Sequence, residues 1–140
     1  MHFGSGVRTR ACLRAVGVVA IAFVVSGCGT DASTLLRKLG SWAATGAMLG
    51  QAWADGATPR AYTERTLERA QRELAKQARD LGTLPASQRT QATPITERVQ
   101  RGLRDLARAV RADDQVAARR LAHSLGEDAR RLSSLGEAAS

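Results

Sequence analysis

Apolar side chains recur every three or four residues in four successive segments of this 140-residue chain. This is the period of an α-helix that buries one face, and it constrains the fold more than any other feature. In the first segment the spacings alternate between four and three, as in a coiled coil: Leu35, Leu39, Trp42, Gly46, Leu49 and Trp53. The later faces comprise Leu67, Ala70, Leu74, Ala78 and Leu81, then Ile95, Val99, Leu103, Leu106 and Val110, then Ala118, Leu121, Leu125 and Leu132.

Capping and breaking residues predict where these helices begin and end. Asp55-Gly56 ends the first helix and Gly82 ends the second, because glycine commonly follows a helix. Threonine can cap exposed N–H groups and proline fits the first turn, so Thr58-Pro59 and Thr93-Pro94 predict the starts of the second and third helices. Asp113-Asp114 predicts the cap of the fourth helix.

Leu84 to Ala92 is predicted to be a loop between the second and third helices, and the fourth helix is expected to fray from Gly136. No segment has the alternating β-branched pattern of a strand. Four amphipathic helices joined mostly by short turns predict an all-α fold, a small up-and-down four-helix bundle over residues 34–136.

The first 27 residues have the organisation of a signal peptide. Arg8, Arg10 and Arg14 occur without any acidic residue and precede an uninterrupted apolar run over residues 15–25. A helix needs about 20 apolar residues to cross a bilayer, whereas the core of a signal peptide has roughly 7 to 15. The run therefore predicts a secretory signal.

The segment that follows, Val25-Ser26-Gly27-Cys28, resembles the lipobox of bacterial lipoproteins. The resemblance is confined to residues 1–28. It implies cleavage between Gly27 and Cys28, attachment of diacylglycerol to the Cys28 thiol, and acylation of the new amino group, with palmitate as the expected chain. The alternative is an ordinary secretory signal, or an uncleaved anchor that happens to end in cysteine.

This interpretation divides the chain into a signal peptide (1–27), a lipidated tether (28–33) and the helical bundle (34–136). Cys12 leaves with the signal, so lipid would cap the sole remaining thiol, and two or more acyl chains anchor a protein durably. We expect a body outside the cytoplasm, at the cell membrane or outer membrane, and in the periplasm if the organism is Gram-negative. By the same resemblance, Gly29 after the cysteine would not retain a Gram-negative lipoprotein at the inner membrane.

The second and third helices are each predicted to carry a basic stripe opposite the apolar face. The formal net charge of +8 falls to +5 for residues 28–140, because the signal holds three arginines. At about 100° per residue, the stripes comprise Arg65, Arg69, Arg72, Lys76 and Arg79, then Arg98, Arg101, Arg104, Arg108 and Arg111.

Two interpretations of these stripes are open. The simpler is a solvated surface, partly neutralised by acidic neighbours such as Glu68, four residues before Arg72. The functional one is an anionic partner: phospholipid headgroups, an acidic envelope polymer or an acidic protein. Nucleic acid is not expected, because the body has no interleaved aromatic residues for base stacking and no recognised motif.

The segment Leu39 to Ala54 carries no charge and contains Trp42, Gly46, Gly50 and Trp53. Glycine weakens a helix by about 1 kcal/mol relative to alanine, so something should compensate. Tight packing inside the bundle, with both tryptophans in the core, is the favoured explanation. The alternative is a docking face for a partner helix or for the bilayer.

The inventory of reactive groups is small. His123 and Glu127 lie one helical turn apart, but a metal site would need further ligands, and residues 28–140 hold no second histidine. No phosphate loop, nucleophile elbow or haem motif occurs. We therefore expect no catalytic residues, no metal, no cofactor and no small-molecule substrate.

These features favour a membrane-anchored envelope lipoprotein with a non-enzymatic helical domain that serves structure or interaction. One alternative is a basic helical module that binds anionic lipid or an envelope polymer. A further alternative is a metal-binding or enzymatic bundle based on His123 and Glu127.

Overall fold

A computed structural model describes residues 31–140. They form four α-helices, α1 (Ala32–Ala54), α2 (Arg60–Ala78), α3 (Ala86–Arg111) and α4 (Gln115–Ala138), with one 3₁₀ turn, Arg79–Thr83, after α2. No strand occurs among these residues. Each helix packs against the next, and α4 returns to pack extensively against α1. The predicted all-α four-helix bundle is confirmed.

The core contains the predicted apolar face of every helix. Its largest fully buried side chains come from all four helices: Leu35, Leu36, Leu39, Leu67, Leu74, Val99, Leu103, Leu106, Val110, Leu125 and Leu132. Removing each such leucine from water contributes about 1.5–3 kcal/mol to folding. Four predicted core residues lie at the edge of the core and are only partly buried: Trp42, Ala78, Ile95 and Leu121.

Small residues bring α1 and α4 into close contact. A Cβ built on Gly40 would lie 3.1 Å from the carbonyl oxygen of Ala129, and one built on Gly136 would lie 3.2 Å from the carbonyl oxygen of Ser33. The earlier residue of α1, Ser33, meets the later residue of α4, Gly136, whereas Gly40 meets Ala129. α1 and α4 are therefore antiparallel. The close approach compensates for the low helix propensity of these glycines.

Two short turns lie together at one end of the bundle. Gly56 ends α1 with a φ of 75°, in the left-handed region that glycine adopts readily. Asp113 has a φ of 59°, and the next carboxylate, that of Asp114, accepts a hydrogen bond from the Ala117 N–H at 2.9 Å. The predicted helix stop and the predicted cap of α4 are therefore both confirmed.

Ion pairs connect these turns to neighbouring helices. Arg60 at the start of α2 lies 2.8 Å from Asp113. Arg119 on α4 contacts the Asp55 carboxylate at 3.3 Å and donates to the Ala54 carbonyl oxygen at 2.8 Å. A hydrogen bond from Gln51 lowers the pKa of Asp55, and the hydrogen bond and positive charge of Arg119 lower it further.

The predicted loop from Leu84 to Ala92 is wrong, because α3 begins at Ala86 and Pro94 lies inside it. Leu84 and Ala92 are both buried, so the core holds this segment against the bundle. Pro94 is exposed, and because proline has no N–H, the carbonyl of Thr90 lacks its usual helical donor. Burial of the flanking apolar residues thus outweighs the interruption.

Three other boundaries differ from expectation. Thr58 caps no N–H of α2; its hydroxyl lies 3.1 Å from that of Thr63, and Pro59 takes the N-cap position. The last helix does not fray at Gly136, which is buried against α1, and it continues to Ala138. α1 begins at Ala32, two residues before the boundary expected at residue 34.

Candidate functional site

The predicted basic stripe of α2 lies on the outside of the bundle. Leu67 and Leu74 are fully buried, and the cations on the opposite side of the helix are exposed: Arg65, Arg69, Arg72, Lys76 and, in the following 3₁₀ turn, Arg79. The hydrophobic effect fixes this orientation, because turning the cations inward would expose the leucines and bury uncompensated charge.

α3 places its cations in the same way, with one exception. Val99, Leu103, Leu106 and Val110 are fully buried, and four cations of the predicted stripe are exposed: Arg101, Arg104, Arg108 and Arg111. α2 and α3 pack against each other in the bundle. We call these nine exposed cations of α2, the 3₁₀ turn and α3 the α2–α3 basic surface.

Arg98 is the exception, because it is committed to a partner on α4. Its Nη2 and Nε donate to the two carboxylate oxygens of Asp128 at 2.8 and 3.4 Å. The Asp128 side chain is only 10% exposed, and Arg131 approaches it at 3.6 Å. The hydrogen bond to Asp128 raises the pKa of Arg98. Arg98 therefore links α3 to α4, and its guanidinium is already engaged by a carboxylate of the bundle.

Few of the other cations are neutralised by ion pairs. Arg72 lies 3.9 Å from Glu68, near the limit of an ion pair, and Arg108 contacts Asp105 on the preceding turn. The remaining seven have no acidic group within ion-pair distance in residues 31–140: Arg65, Arg69, Lys76, Arg79, Arg101, Arg104 and Arg111. The surface therefore keeps a positive field that a solution partner would experience.

A groove follows the contact between α2 and α3. It consists of two adjoining hollows of about 400 and 110 Å³, and Gln71 and Arg104 line both. The remaining lining residues are Glu68, Ala107, Arg108 and Arg111 in the larger hollow, and Ala75 and Gln100 in the smaller. The Gln71 Nε2 donates to the Leu103 carbonyl oxygen at 3.3 Å, which holds this side chain across the two helices.

The glutamines of this groove were not among the predicted site residues. At about 100° per residue, Gln71 lies between the apolar face and the basic stripe of α2. That position is the only sign of it in the sequence, because a neutral side chain at a helix boundary has no distinctive pattern.

Two further grooves are each lined by both basic and acidic residues. One of about 510 Å³ between α3 and α4 is lined by Glu127 as well as Arg130 and Arg131. Another of about 490 Å³ lies between α1 and α4 and is lined largely by alanine, glycine and serine. Each of these grooves is lined by only one cation that lacks an ion pair in residues 31–140, Arg130, whereas Arg104 and Arg111 both line the α2–α3 groove, which is therefore the stronger candidate for an anionic ligand.

The residues considered for partner docking lie mainly inside the bundle. Gly46 and Gly50 are buried, and a Cβ built on Gly46 would overlap the Cδ2 methyl of Leu103. Trp53 is 6% exposed, whereas Trp42 is partly buried against the core. Gly46, Gly50 and Trp53 therefore support internal packing, and they form no exposed docking face.

His123 and Glu127 lie on the exposed side of α4, with the imidazole Nε2 3.5 Å from the carboxylate. Within residues 31–140, no three histidine, cysteine, aspartate or glutamate side chains come together as a metal site. The lipobox positions Gly27 and Cys28 lie outside the described residues.

None of the four helices combines the length and apolar character that a membrane crossing requires. Comparison of the chain with protein-family models, with curated proteins and with solved structures gives no match.

Proposed function

We propose that this chain is a lipid-anchored protein of the bacterial cell envelope, whose helical body is a non-enzymatic interaction module. The observation that carries the proposal is the resemblance of residues 25–28 to a lipobox, immediately before a folded body. Because α1 begins at Ala32, four residue steps separate Cys28 from the first helix, and they reach at most about 14 Å. A lipid on Cys28 would hold the bundle close to the bilayer surface.

Metabolic labelling with an alkyne fatty acid tests the anchor. Wild-type protein should be labelled, and intact mass should show a chain that begins at residue 28 with lipid attached. Cys28→Ser should abolish labelling, whereas Cys12→Ser, the matched control, should leave it intact because Cys12 is removed with the signal. A native product that still begins at Met1, or that has an unmodified Cys28, would refute the anchor.

The charge distribution supports a more specific second candidate, in which the body holds an anionic partner. The α2–α3 basic surface has seven cations without an acidic partner in residues 31–140. Arginine also donates bidentate hydrogen bonds to phosphate and carboxylate groups. Binding of the full chain to an anionic partner should therefore weaken steeply between low and high salt. Binding that is indifferent to salt would contradict this candidate.

A further inference from the structure

The α2–α3 groove is elongated along the helix axes. Gln71 and Arg104 line both of its hollows, so the two hollows adjoin at these side chains. Arg104 and Arg111 are two turns apart on α3, about 10 Å along the axis. Both line the groove and neither has an ion-pair partner in residues 31–140. Two free guanidinium groups thus lie in sequence along one channel.

The groove also has polar groups that can assist in binding. Gln71 uses one amide hydrogen for the Leu103 carbonyl, and its second amide hydrogen remains for a ligand. Gln100 lines the smaller hollow together with Arg104. Glu68 is the one carboxylate that lines the channel, and its contact with Arg72 at 3.9 Å is long. Glu68 should therefore oppose an anionic ligand.

We propose that the α2–α3 groove binds a linear phosphate-bearing polyanion lengthwise, with Arg104 and Arg111 each donating to an anionic group. This inference rests on the second candidate function. A chain can lie in a depression between two helices and follow the arginines along its α3 wall, whereas a planar layer of headgroups contacts mainly the outermost side chains. The shape therefore favours a polymer over a membrane surface.

The test uses the full chain in nanodiscs of zwitterionic lipid, with fluorescently labelled inorganic polyphosphate as the probe. The double variant R104Q/R111Q should weaken binding by about tenfold or more, because two phosphate contacts are lost. The matched control R120Q/R130Q removes the same charge from the exposed side of α4, where both arginines also lack ion pairs in residues 31–140. It should change the affinity by about twofold or less, the effect of a distant charge screened by salt.

A gain of affinity provides a second readout, which a folding defect cannot imitate. Glu68→Gln should strengthen polyphosphate binding, whereas Glu137→Gln, at the far end of α4, should not. Equal losses in the two arginine double variants would overturn the groove assignment, because binding would then follow net charge alone. An unchanged affinity in Glu68→Gln would also count against it.

Anionic nanodiscs separate this inference from the function on which it rests. If nanodiscs containing phosphatidylglycerol bind through Arg104 and Arg111 while polyphosphate does not, the polymer assignment fails and the anionic-partner function stands. If neither polyphosphate nor phosphatidylglycerol nanodiscs bind at low salt, the polymer assignment and the anionic-partner function both fail. Binding of polyphosphate that phosphatidylglycerol nanodiscs do not displace would support the polymer.

Discussion

Arg98 on α3 holds the carboxylate of Asp128 on α4 through both of its oxygens, at 2.8 and 3.4 Å. The carboxylate is almost completely buried, whereas the arginine side chain is 41% exposed. An ionised carboxylate in such a position costs free energy unless it is paired, so the two residues depend on each other.

Removal of the arginine should therefore destabilise the bundle. For Arg98→Gln we expect a loss of about 1–2 kcal/mol in the free energy of unfolding, less than for a fully buried pair, because Arg98 is partly solvated. Arg101→Gln, an exposed position without an ion pair in residues 31–140, should change it by less than about 0.5 kcal/mol. Urea unfolding measures the free energy of unfolding of both variants. The double variant R98M/D128L should recover part of the stability that Arg98→Gln loses. Equal effects of the two single variants would contradict a structural role for Arg98.

Replacement of two helical glycines by alanine should have opposite effects on the stability of the bundle. Gly46→Ala should cost about 1–2 kcal/mol, because the new methyl group overlaps the buried Leu103 side chain. Gly126→Ala should stabilise by up to about 1 kcal/mol, since its nearest neighbour would be Ala47 Cβ at 3.8 Å and alanine favours the helix. Thermal unfolding of the two variants distinguishes them, and a stabilised Gly46→Ala would show that α1 is not closely packed there.

The placement of Pro94 inside α3 also has a measurable consequence. Pro94→Ala should stabilise the protein by about 1–3 kcal/mol, because alanine restores an N–H that can bond to the Thr90 carbonyl. Pro85→Ala is the control and should give no such gain, because Pro85 precedes the helix. If α3 instead began at residue 94, proline would be favourable there, and its replacement would be neutral or destabilising.

Acid should remove the stabilisation that comes from Asp55. Its folded-state pKa is lowered by Gln51 and Arg119, so its contribution is present above the unfolded value of about 3.9 and disappears as pH falls through the folded value. Wild-type protein should therefore be more stable than Asp55→Asn at neutral pH, and the difference should shrink below about pH 4. Denaturant titrations across pH measure this, with Asp80→Asn as the control. A difference that persists unchanged at pH 2 would contradict the assignment.

The apolar period was sufficient to predict the number of helices and most of the core. It could not locate the start of α3, because Thr58-Pro59 and Thr93-Pro94 have the same local chemistry while only the first pair precedes a helix. The difference lies in the burial of Leu84 and Ala92, which depends on the assembled bundle.

The sequence likewise predicted some features of the candidate site and not others. Helical geometry alone predicted which cations point outward from α2 and α3. It could not predict that Arg98 pairs with Asp128, because thirty residues separate them and no local pattern connects them. The choice between internal packing and docking for Gly46 and Gly50 likewise required knowing that α3 and α4 lie against them.

The glycine-mediated contact of α1 with α4 joins segments that are far apart in sequence. During synthesis, α1 emerges first but lacks its main neighbour until α4 has been made, so completion of the bundle requires a long loop to close. The same contact governs the response to force. Because Gly136 lies against Ser33, the start of α1 and the end of α4 meet at one end of the bundle, and a pull that separates these two ends should open the interface turn by turn from there.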